Sequence, residues 1–189
     1  MQLDQAHIDE IRLQYELSMA IGTSLDTQEM LYHTLSTFLR KLNCAAGSIY
    51  LCRVDEDLFE PFCAIPRNVD RNRSCDAVRV HLGDTTSESD KLAIRESMPM
   101  QGGNGDAGFF HIIELPDVGF MSLVRFGEPL KPSLLKSLTP LLDKLAKASQ
   151  ACLQTEELAR TNRDIKIERN MLRTLIENTP IVVFAVDQH

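Results

Sequence analysis

The sequence lacks the features that mark several large functional classes. Its 189 residues carry a net charge of −7 and no basic stripe, which argues against general nucleic-acid binding. No apolar run approaches the roughly 18–20 residues of a membrane helix. The opening MQLDQAHIDEIRLQYE is polar and has no apolar core of the secretory type. These absences predict a cytoplasmic stretch of chain without nucleic-acid or membrane partners.

Spacings typical of metal, haem or dithiol sites are also missing. The five cysteines are odd in number and form no CxxC pair, which predicts reduced thiols in the cytosol. Cys52 and Cys63 are two strand cysteines that we interpret as small buried hydrophobes rather than a redox pair, because no basic surrounding is visible. No HxxxH or CxxCH accompanies His81 or His111, so neither a metal ligand nor a catalytic residue is predicted.

Apolar spacing predicts two helices before any strand. Ile8, Ile11 and Tyr15 step by three and four, which indicates a helix from about Asp4 to Ile21. A second helix follows in SLDTQEMLYHTLSTFLRKLNC, with Asp26 as its cap and Glu29 three residues on.

The middle of the chain changes to strand patterns. The predicted elements are a hairpin over 45–54 and 58–65, a third strand over 77–82, a short helix over 87–98, a mobile glycine loop over 102–108, and a second hairpin made of FFHIIEL and GFMSLVRF.

From Ser133 a single helix is predicted to run to about Asn178. Its second half keeps a heptad rhythm, and the register breaks between about Ala148 and Leu158. Because so long a helix needs a packing partner, the pattern predicts a homodimer through this helix, with folding back on its own domain as the alternative. The predicted seam residues are Leu145, Leu158, Asn162, Ile165, Leu172 and Ile176.

The order of these elements resembles a GAF domain. The opening from Glu16 to Asp57, with its SLD cap and GSIYL strand, carries most of the likeness, and GFMSLVRFGEPLKPSLLKSLTPLLDKLAKA resembles the last strand and exit helix. The resemblance covers about 16–148 and implies an α+β fold, an antiparallel sheet flanked by helices. We assign 1–22 to an N-terminal helix, 16–148 to the GAF-like domain and 133–178 to a signalling helix.

The family resemblance implies a ligand pocket over one face of the sheet. Here only Gly83–Gly108 is available to form it, which is shorter than usual. The cyclic-nucleotide signature and the Cys-His pair of bilin-binding members are both missing, so the ligand and any cofactor stay unknown. The predicted pocket residues are Tyr50, Arg79, His81, Ile94 and His111.

The end of the sequence, LRTLIENTPIVVFAVDQ, resembles the start of a PAS domain, so 179–189 are expected to open a further domain. GAF domains commonly serve histidine kinases, diguanylate cyclases and transcription regulators. We therefore expect a sensory module that binds a small ligand or dimerises, and that signals to downstream domains of the same chain. Two alternatives stay open: a ligand-free dimerisation domain, and a thiol enzyme that would use Cys63 or Cys75.

Overall fold

The computed structural model describes residues 5–51, 61–82, 97–104 and 108–178. The chain divides into two units, Met1–Cys152 and Leu153–His189. The first unit is a five-stranded antiparallel sheet flanked by helices, and the second contains the remainder of the last helix. The predicted α+β class with a long C-terminal helix is confirmed.

The sheet has the strand order β2-β1-β5-β4-β3, and every neighbouring pair is antiparallel. The predicted pairing of both hairpins is confirmed, since β1 pairs with β2 and β4 with β5, although residues 52–60 of the first hairpin lie outside the described residues. In chain order the elements are α1 Gln5–Ala20, α2 Thr27–Leu42, β1 Ala46–Leu51, β2 Cys63–Ile65, a 3-10 turn Val69–Arg71, α3 Arg73–Leu82, β3 Met100–Asn104, β4 Gly108–Leu115, β5 Gly119–Arg125 and α4 Pro132–Asn178.

Helix α2 begins where the sequence predicts. The Asp26 carboxylate accepts a hydrogen bond from the Glu29 backbone N–H at 2.8 Å, and the Glu29 carboxylate accepts one from the Ser24 hydroxyl at 2.7 Å. The first of these bonds satisfies a backbone donor that the first helical turn leaves unpaired, and the second ties the Glu29 side chain to the residues before the helix.

One face of the sheet is covered by α2, and α1 packs on α2. Gly47 allows the close approach of α2, because a Cβ there would lie 2.9 Å from side-chain carbons of both Leu35 and Leu39. The first part of α4 is joined to α1 through Lys144, whose ammonium donates to the carbonyl and hydroxyl oxygens of Ser18 at 2.7 and 2.9 Å.

The opposite face is covered by α3, which corrects the predicted strand over 77–82. The pattern of alternating apolar and polar residues was misleading, because Val80 is 74% exposed while Val78 is buried. Cys75, Val78 and Leu82 are the buried residues, and their spacing of three and four is helical. The Asn72 side chain accepts from the Ser74 N–H at 2.9 Å and starts the helix.

A second correction concerns the predicted glycine loop. Gly102, Gly103 and Asn104 belong to β3, which pairs with β4 from Met100 to Asn104. Glycines are needed because a Cβ on Gly102 would lie 2.6 Å from the Phe110 ring, and Gly103 has φ +101°. Most of the predicted helix over 87–98, and the predicted strand over 181–186, lie outside the described residues.

Helix α4 runs for 47 residues, as predicted. Pro140 lies inside it and supplies no N–H to the Lys136 carbonyl. Within the described part of the chain, no helix has both the length and the apolarity to span a membrane. The residues that α4 buries in the first unit are Leu138, Leu141, Leu142, Leu145, Ala146, Ser149 and Cys152.

Replacing Asp26 by Ala should lower the free energy of unfolding by about 1 kcal/mol, because the Glu29 N–H loses its acceptor. Urea denaturation followed by circular dichroism measures this change. Leu25→Ala is the adjacent control, because Leu25 is 74% exposed, and it should change stability far less. Equal effects of the two substitutions would contradict the assigned cap.

Candidate functional site

The predicted pocket residues do not meet at one place. Tyr50, Arg79 and His81 lie on the α3 side of the sheet, and His81 is on a helix rather than a strand. His111 lies on β4 opposite Leu123, on the face that α2 and α4 cover. Ile94 is outside the described residues. A single pocket containing all five residues is therefore not formed.

The described part of the α3 face is packed with apolar side chains. Tyr50 and Phe120 stack with ring centroids 4.6 Å apart, beside Val78 and Leu82 of α3. Burial, and then interaction with Cys75, raise the pKa of the Tyr50 phenol. His81 stacks on Phe110 at 4.1 Å and lines a shallow groove of about 370 Å³.

Four polar side chains attach the start of α3 to the sheet. Ser74 Oγ lies 2.6 Å from Asn72 Oδ1 and 2.9 Å from Ser48 Oγ, and the Ser122 hydroxyl donates to the Ser74 carbonyl at 3.1 Å. The Asn72 amide donates to the Pro66 carbonyl at 2.8 Å. All four side chains are buried and mutually bonded, so the cluster positions α3 and offers no reactive group.

His111 is fully buried and is different in character. Its Nε2 accepts a hydrogen bond from the Leu130 backbone N–H at 3.1 Å. Burial, and then the nearby charge of Arg125, lower the pKa of His111 to about 4. A neutral imidazole that accepts at Nε2 carries its hydrogen on Nδ1. Among the described residues, no hydrogen-bond partner contacts Nδ1.

His111 also lines a cleft of about 430 Å³ between the β3–β4 edge of the sheet and the first turns of α4. The cleft is bordered largely by apolar side chains, including Ile113, Leu135 and Leu142. The sequence analysis names His111 as a pocket residue but combines it with Tyr50, Arg79 and His81, which lie on the α3 side, and it names no other residue of this cleft. The available signal was a histidine at the inward position of the alternation Phe109, His111, Ile113, Leu115.

Another depression, of about 1100 Å³, lies between the start of α2 and β2, but it is broad and open. In the described ranges, no three His, Cys, Asp or Glu side chains are grouped closely enough to hold a metal ion. Burial raises the pKa of the Cys63 thiol to about 12, and Cys75 is buried too. A high thiol pKa disfavours the thiolate that cysteine catalysis requires.

The predicted seam residues fall into two environments. Leu145 is buried in the core of the first unit, so it is not available to a partner chain. The other apolar seam residues lie in the second unit and are more than half exposed: Leu158, Ile165, Leu172 and Ile176. Asn162 is exposed on the same stretch of helix.

Comparison with known proteins does not assign this arrangement to a family. No protein-family model matches the chain, and no curated protein matches it either.

The low pKa of His111 should make the protein less stable in mild acid. Because the folded pKa of about 4 lies below the ordinary 6.5, unfolded chains bind more protons between these values, and stability is lost as the pH falls through that range. From pH 7 to about 4.5 the His111 contribution should fall by about 2 kcal/mol.

Urea unfolding at both pH values measures this loss, with His111→Gln as the reference. Glutamine retains a side-chain acceptor for the Leu130 N–H but does not titrate. The free energy of unfolding of His111→Gln should therefore fall by about 2 kcal/mol less between the two pH values than that of the unmodified protein. Equal losses, or an imidazole NMR titration centred near pH 6.5, would refute the assignment.

Proposed function

We propose that this chain is a GAF-like sensory and regulatory module of a cytoplasmic signal transduction protein, of the histidine kinase or diguanylate cyclase class. It forms a homodimer through the second half of α4 and passes a conformational change along that helix to further domains. In this proposal the module acts without catalysis of its own. An antiparallel sheet with helices before and after it in sequence agrees with the fold that the resemblance implies.

One observation carries this proposal: a single helix, α4, is packed in the first unit over its first part and exposed over its second part. Up to Cys152 the helix buries apolar residues in the first unit. From Gln154 to Glu177 every residue is exposed, yet apolar side chains continue at heptad spacing. An isolated helix gains little stability from its backbone alone, so this stripe requires a partner, and a second copy supplies an identical one.

The polar residues of the stripe favour a parallel pair. With Leu158, Ile165 and Leu172 at d positions, Asn162 and Arg169 fall at a positions. Paired asparagines at a fix register and a two-stranded state at some cost in stability. Glu168 at g is followed five residues later by Arg173 at e, an arrangement that attracts between parallel chains.

The first unit has an apolar surface of its own on α1. Ile8, Ile11, Tyr15 and Met19 are exposed at spacings of three and four. A contiguous exposed apolar stripe typically marks an interaction surface, which supports self-association as part of the function.

A ligand-free dimerisation domain is the second candidate. It is favoured by the packing of α3 against the sheet, where the buried side chains of Tyr50, Phe120 and Val78 fill the described space on that face. Binding of a small molecule by the first unit separates the two candidates.

Ile165→Lys should weaken the dimer at least about tenfold, because two charged groups would face each other at a desolvated seam. Ile167→Lys is the matched control: Ile167 is 59% exposed and Ile165 56%, but Ile167 occupies an f position away from the seam. Sedimentation velocity over a range of concentrations measures the dissociation constant.

The unmodified chain and Ile167→Lys are both expected to sediment as dimers where Ile165→Lys sediments as a monomer. A monomeric unmodified chain would refute the proposed dimer. Equal behaviour of the two lysine variants would refute the assigned seam.

A further inference from the structure

The cleft beside His111 has the size of a small-molecule site and an unusual position. Its volume of about 430 Å³ falls in the range of about 300–1,000 Å³ that is usual for ligand pockets. Residues of β3 and β4 form one wall, and Leu135, Thr139 and Leu142 of α4 form the other. The cleft therefore lies on the opposite face of the sheet from α3.

The lining of the cleft is chemically simple. Most of its surface is apolar, from methionine, proline, leucine and isoleucine side chains. Three charged residues also border it, Lys136, Glu114 and Asp143, and two of the three are acidic. This balance gives no attraction for an anion, whose desolvation in an apolar cleft is costly.

His111 contributes the specific polar group. Because the Leu130 N–H donates to Nε2, the ring hydrogen is on Nδ1, and Nδ1 has no acceptor among the residues that the structure describes. A buried N–H donor without an acceptor loses its hydration without compensation. His111 has no exposed surface in this structure, so a ligand reaches Nδ1 only when the side chains that cover the ring move aside. Its acceptor oxygen would then satisfy the donor.

We propose that this cleft binds a small neutral molecule with an apolar body and one carbonyl oxygen, and that the carbonyl accepts a hydrogen bond from His111 Nδ1–H. The class comprises ketones, esters, lactones and amides of modest size. The apolar body contacts Leu135 and Leu142, while Thr139 borders the same space.

Such a ligand would contact the exit helix directly. Its effect on signalling rests on the proposed relay through α4, but the binding itself does not. If a ligand binds the cleft but sedimentation shows no dimer, this inference stands and only the proposed relay is refuted.

Three probes of similar size test the chemistry: acetophenone, ethylbenzene and phenylacetate. Each is titrated into the isotopically labelled full chain and followed by backbone and imidazole NMR. Acetophenone is expected to shift signals of β4 and of α4 near Thr139, and to move the His111 Hδ1 resonance. Ethylbenzene, which lacks the oxygen, should bind at least about tenfold more weakly, since it leaves the donor unpaired. Phenylacetate should also bind more weakly than acetophenone.

Thr139→Trp fills the cleft and should abolish acetophenone binding. Thr174→Trp places the same side chain on the same helix at an f position, outside the cleft, and should leave binding unchanged. Circular dichroism verifies that both variants fold. The proposal is overturned by the absence of acetophenone shifts in the cleft, by equal affinity for ethylbenzene, by tighter binding of phenylacetate, or by unchanged binding in Thr139→Trp.

Discussion

A helix of 47 residues must find packing partners along its whole length, and this constraint organises the protein. The part up to Cys152 finds its partner in the chain itself, where its leucines complete the core. From Leu158 onward its large apolar side chains are more than half exposed in the part of the chain that the structure describes. One continuous helix therefore completes a domain core with its first part, and its second part exposes the apolar side chains that we propose to pack in a dimer.

The dimer seam that we propose beyond Cys152 contains residues that would weaken it. Asn162 and Arg169 take a positions where apolar residues would be more stable, and Arg169 places like charges opposite each other in a parallel pair. A seam of modest stability is one whose state a small free energy can change, because a ligand shifts an equilibrium only by its difference in affinity for the two states. A very stable coiled coil would not change its state when a ligand supplies only a small free energy.

Local rules were sufficient for much of the fold. Capping residues predict the start of α2 at Asp26. The spacing of apolar residues, which follows from burial of one face of each element, predicts both hairpins and α4. The prediction failed where the same residues fit both a strand period and a helix period. Val78 and Val80 alternate as in a strand, yet tertiary packing buries only Val78. It failed again at β3, where glycines that suggest a loop are required by the Phe110 ring.

The candidate site was less predictable than the fold, because its parts come from distant segments. The sequence shows that His111 is a polar residue on a strand. It does not show that the Leu130 N–H donates a hydrogen bond to Nε2, or that α4 borders the cleft beside the ring. Leu130 lies just before α4 begins at Pro132, so this hydrogen bond ties the start of the helix to the sheet. A molecule bound at His111 would therefore meet both the anchor of the helix and its first turns. Any strain it introduced there would reach α4 directly, without a longer path through the core.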